Sequence, residues 1–78
     1  MSLGGLLTEI RIGRRLTRVE LAEKLGVDRS VVRRWENGQY MPSLRLFFSL
    51  IATLKLTPEE TKAVALAAID AYRNGVAA

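Results

Sequence analysis

Gly26 and Asp28 stand two positions apart between two runs of helix-forming residues, and this break constrains the chain more than any other feature. Gly26 supplies a left-handed backbone conformation that stops one helix. The Asp28 carboxylate satisfies the free amides that open the next. Helices joined by so short a turn cross steeply. At the crossing only a small side chain fits, and Ala22, four residues before Gly26, provides the room. Leu21, Leu25, Val27, Val32 and Trp35 supply the apolar contacts that hold the second helix against the rest. Its other face stays free, and that face carries Arg29, Ser30, Arg33 and Arg34.

The rest of the chain also reads as helices. Leu3, Leu6, Leu7 and Ile10 recur at i, i+3, i+4 and i+7, which predicts a helix from about Leu3 to Arg14 with one apolar stripe. Thr17 and Glu20 have the spacing of a capping box and open the helix that Gly26 closes. The helix capped by Asp28 runs to about Glu36 and ends at Asn37-Gly38. Ser43, after Pro42, caps a fourth helix with a wide apolar face of Leu44, Phe47, Phe48, Ile51 and Leu54. Trp35, Phe47 and Phe48 are expected in the core. Thr57-Pro58-Glu59-Glu60 joins a cap, a proline at the first helical position and a second capping box. It opens a fifth helix over about 58–74. No strand alternation appears. The expectation is one all-α domain over 1–78, a compact five-helix bundle.

Several function classes drop out on residue types alone. The chain has no cysteine and no histidine, which removes thiolate metal sites, disulfides and the commonest general base. Glu59 and Glu60 belong to helix capping and the helix dipole. No acid, base and nucleophile converge in the sequence, so an enzyme is not expected, nor a metal or cofactor. No apolar run reaches the length of a membrane span, and no secretory signal pattern opens the chain. The expected location is the cytoplasm, without membrane contact.

Charge is unevenly placed. Residues 1–45 hold nine basic side chains against five acidic ones, so the whole net charge of +4 lies there and the remainder is balanced. A one-sided positive field suits a polyanion. A helix that projects arginines from its N-terminal half can enter the major groove of DNA, roughly 12 Å wide, and reach base edges.

Three segments carry a resemblance: Leu21-Ala22-Glu23-Lys24-Leu25-Gly26-Val27, Trp35-Glu36-Asn37-Gly38 and Pro42-Ser43-Leu44. At these spacings the chain resembles the lambda-repressor-like, Cro/C1-type helix-turn-helix regulators over about Leu6 to Leu56. The resemblance implies a helix-turn-helix at about 18–37 whose second helix lies in the major groove. It assigns base contacts to Arg29, Ser30 and Arg34, and the arginines can each donate two bonds to guanine. It places phosphate contacts at Arg18, Arg33 and Asn37 and, more loosely, at Arg14, Gln39 and Tyr40, with the loop amides at Asn37 and Gly38 meeting a phosphate. It pairs Arg11 with Glu36 in a largely buried ion pair that sets the angle of the recognition helix.

Two positions depart from the family. Arg18 stands where glutamine is usual, a residue that contacts phosphate and braces the recognition helix, and Arg15 stands where the turn after the first helix usually has glycine. Arg18 keeps the phosphate contact and strengthens it by charge. Arg15 is expected to hold a disfavoured backbone conformation.

The fifth helix carries Ala63 to Ile69 and Ala71, apolar around more than one face. One face closes the core; a second suits burial by another subunit, or the alanines serve simply as helix formers, and a homodimer on a palindromic operator is the expected form. The expected function is a sequence-specific regulator acting on double-stranded DNA, with repression favoured over activation. The alternative is a protein-interaction module or antitoxin-type partner that uses the fourth and fifth helices.

Overall fold

A computed structural model describes residues 2–75. Five α-helices follow one another: α1 (Leu3–Gly13), α2 (Arg18–Leu25), α3 (Arg29–Glu36), α4 (Leu44–Thr53) and α5 (Pro58–Arg73), with no strand among the described residues. The all-α bundle expected from the sequence is the fold observed. Helix α1 ends at Gly13, one residue short of the expected boundary.

Every helix starts on a hydroxyl or carboxylate cap: Ser2, Thr17, Asp28, Ser43 and Thr57 each accept from a backbone amide of the first turn. Both capping boxes are complete, Thr17 with Glu20 and Thr57 with Glu60. The ends follow one rule as well. After each of the first four helices a residue takes positive φ: Arg15, Gly26, Gly38 and Lys55. The next amide then reaches back to a carbonyl five residues earlier: Leu16 to Arg11, Val27 to Ala22, Gln39 to Arg34 and Leu56 to Ile51. These bonds satisfy carbonyls that a helix end otherwise leaves open. Arg15, at φ 58°, does hold the left-handed conformation expected of it, and Lys55 does the same at φ 51°. Each carries a cost that glycine avoids.

The core gathers Leu3, Leu7 and Ile10 from α1, Leu21 and Ala22 from α2, Val32 and Trp35 from α3, Leu50 and Leu54 from α4 and its end, and Val64 from α5. Val32, Leu54 and Val64 are the most completely enclosed, each contributing about 1.5–3 kcal/mol of burial. Helix α3 packs on both α1 and α2, and α5 closes over α1. At one crossing the backbones nearly touch. A methyl group added to Gly4 would fall 2.8 Å from the Trp35 carbonyl oxygen and closer still to that of Glu36.

The fourth helix corrects the sequence reading. Phe48, expected in the core, is 61 % exposed, and Leu44 is exposed too. The buried residue is Leu50, with Leu46 and Phe47 partly covered against the core and Ile51 half-buried. Phe48 lies two positions from Leu50, about 200° around the helix, so one cannot be buried in the bundle without the other facing out. The segment is apolar on both sides, and periodicity alone does not say which side packs.

Candidate nucleic-acid interface

Helix α3 is fixed at both ends. At its start Asp28 Oδ1 accepts from the Ser30 amide at 2.8 Å. That hydrogen bond holds the Asp28 carboxyl below the ordinary range, helped by the nearby Arg29 and Arg34 charges. The carboxylate is occupied as a cap.

At its end Glu36 is a shared anchor. Arg11 on α1 donates from Nε to Glu36 Oε2 at 2.6 Å and from Nη2 to Oε1 at 3.2 Å. Its remaining Nη1 donates to the Leu16 carbonyl at 2.8 Å. Arg18, the first residue of α2, adds a bond from Nε to Glu36 Oε1 at 2.8 Å. The Glu36 side chain is 2 % exposed and that of Arg18 43 %. Burial alone would raise the Glu36 pKa; the bonds from both arginines outweigh it, and the net shift is downward. One carboxylate thus ties α1, α2 and α3 together.

The outer face of α3 then presents its charges outward. Arg29, Arg33 and Arg34 are exposed, and Ser30 is half-buried between them. Among the described residues none of the three arginines has a carboxylate within ion-pair distance. Arg18, Arg29, Ser30 and Arg33 share one open cleft with Val19 and Asp28. Arg34 is not part of it. Its guanidinium carbon sits 5.8 Å from the centre of the Tyr40 ring, in a second cleft that includes Val31, Trp35 and Met41.

Two expected phosphate contacts meet competing partners. Arg14 donates from Nε to the Leu54 carbonyl at 2.9 Å, and its Nη groups hold both Glu60 oxygens at 3.0 and 2.5 Å. Its fork is committed to the α4–α5 corner, so its observed work is joining α1 to α5. The loop amides are also committed: Asn37, Gly38 and Gln39 donate to the carbonyls of Arg33, Trp35 and Arg34. What Asn37 and Gln39 present to solvent is their side chains.

The bond from Arg18 to Glu36 and the placement of Arg34 over the Tyr40 ring were not legible in the sequence. The resemblance gives position 18 a phosphate contact and a brace on the recognition helix, without naming Glu36 as the partner. Nothing in its spacing points to a partner 18 residues away.

A family model described as helix-turn-helix matches residues 7–61. The chain belongs to the Cro/C1-type helix-turn-helix family. Its motif is α2, the turn at Gly26 and α3, and the match also covers α4 and the start of α5. The HTH-type transcriptional activator BcrR of Enterococcus faecalis is 33 % identical over 66 residues, covering 77 % of this chain. The match spans about a third of BcrR, 32 % of its length. No solved structure matches significantly. Among the described residues no group of three potential metal ligands assembles, and no helix is long and apolar enough to cross a membrane.

Proposed function

We propose that this helix-turn-helix domain regulates transcription by binding duplex DNA at a specific sequence. The observation that carries the reading is the un-neutralised arginine face of α3, held at a fixed angle by the Glu36 anchor. Arg29, Ser30 and Arg34 are the base-reading residues. Arg18, Arg33, Asn37 and Gln39 contact the backbone and set the register. Arg18 suits this because its bond to Glu36 uses Nε and its side chain stays nearly half exposed.

Repression is the simpler outcome, since an occupied operator excludes other proteins without any further contact. BcrR, named as an activator, has most of its length outside the matched segment. A homodimer is the proposed binding form. Support comes from exposed Leu66, Ile69 and Tyr72 on α5 and from Leu44 and Phe48 on α4, apolar side chains that a second copy would cover. Two copies place their α3 helices on half-sites about 34–36 Å apart.

Selection of bound duplexes from a random pool, at about physiological salt, tests the reading because non-specific phosphate attraction is damped there. An enriched palindrome is the expected outcome, with guanine positions that lose discrimination in Arg29→Ala or Arg34→Ala. Binding without enrichment would remove sequence specificity from the proposal. No binding by folded protein would leave a protein-interaction module as the better reading.

A further inference from the structure

We infer that Tyr40 is a positioning residue for Arg34, and so sets the strength with which this domain discriminates the base pair that Arg34 reads. The inference rests on the reading of α3 as the DNA-contacting helix. Arg34 is a long, exposed side chain with no carboxylate partner among the described residues, and such a side chain loses considerable rotamer freedom when it docks on a base edge. In this structure it is already steered. Gly38, at φ 76°, turns the chain back at the end of α3, and the Gln39 amide closes that turn on the carbonyl of Arg34 itself. The reversal brings Tyr40 beside α3, where its ring lies under the Arg34 guanidinium at 5.8 Å.

An aromatic ring with only two side-chain torsions is a stiff support, and its face attracts a cation. The contact leaves the edge of the guanidinium, which carries its N–H donors, available for a guanine. Among the described residues Arg29 and Arg33 have no such support: they line the cleft shared with Arg18. Tyr40 therefore acts on sequence reading through an arginine, without a base or phosphate contact of its own.

The test compares operator variants in the full chain. Arg34→Ala first identifies the base pair whose discrimination Arg34 supplies. Tyr40→Leu is expected to lower discrimination at that same base pair by about two- to five-fold, the range for an exposed cation–ring contact. Tyr40→Phe, which keeps the ring, is expected to retain it. In the Arg34→Ala background Tyr40→Leu should change nothing further at that position. The salt dependence of binding to non-operator DNA should be the same in all Tyr40 variants. Equal discrimination in Tyr40→Leu and the parent would overturn the inference. So would a loss in Tyr40→Phe as large as in Tyr40→Leu, which would make the phenol hydroxyl a DNA contact. If the parent chain shows no base discrimination at all, the reading of α3 fails and the inference fails with it; the other two results sink the inference alone.

Discussion

Arg18, the first residue of α2, is bonded at 2.8 Å to Glu36, the last residue of α3. The two helices of the motif are therefore joined twice: by the turn at Gly26 and by this ion pair, which shares its carboxylate with Arg11. The Arg11 side of the arrangement is buried, and the Arg18 side is open to solvent.

Removing the anchor should be costly. Glu36→Ala leaves the buried Arg11 guanidinium without its counter-charge, and a loss of about 3–5 kcal/mol in urea unfolding is expected. Replacing both partners by apolar residues, Arg11→Met with Glu36→Leu, should recover much of that loss. A double variant as unstable as Glu36→Ala alone would show that the pair stabilises in its own right.

The outer arginine predicts a different signature. Arg18→Gln should change unfolding free energy by no more than about 1 kcal/mol, because its side chain is nearly half exposed. Its effect should appear on DNA, where the slope of log affinity against log salt falls by about 0.9 for one lost phosphate contact. An unchanged slope would remove Arg18 from the phosphate contacts.

A pH effect is expected at the other end of the bundle. The Arg14 fork and the Thr57 amide together hold the Glu60 carboxyl down at about 2, from an ordinary value of 4.5. Because the folded-state pKa is the lower one, its contribution to stability is fully present above pH 4.5 and is lost as pH falls through about 2. Other capped carboxylates titrate nearby, so the useful quantity is the difference between the parent and Glu60→Gln. That difference in unfolding free energy should shrink steadily across the window and stay flat above it.

The contact at Gly4 predicts intolerance of even one methyl group. Gly4→Ala would press against the Trp35 and Glu36 carbonyls, and backbone cannot rotate aside as a side chain can. A loss of about 1–3 kcal/mol is expected in thermal or urea unfolding, despite the better helix propensity of alanine. A neutral or stabilising result would mean that α1 and α3 can separate freely.

How much of this was legible beforehand depended on range. Caps lie within three residues of what they bind, so Thr17-Glu20 and Thr57-Glu60 were readable directly. The pairing of Arg11 with Glu36 came from resemblance to a family, since 25 residues separate them. Arg14 and Glu60 are 46 residues apart and belong to no local pattern, so the sequence offered Arg14 only as a phosphate contact. Phe48 and Leu50 show the other difficulty: in a helix apolar on two sides, only the packing of neighbours decides which side is covered. The candidate interface was legible as a set of residues. Its division into a cleft around Arg18 and a separate Arg34–Tyr40 pair required the loop after α3 to be placed.

The turn at Gly26 also works as an indexing device. Each residue advances a helix by about 100°, so one residue inserted between Gly26 and Asp28 would tend to rotate α3 like a mis-cut gear. Val32 and Trp35 would leave their seats as the arginines swung toward the core. Exchanges on the outer face of α3 leave that phase untouched. A lineage can therefore exchange the side chains on the outer face of α3 far more cheaply than it can lengthen the turn that presents them.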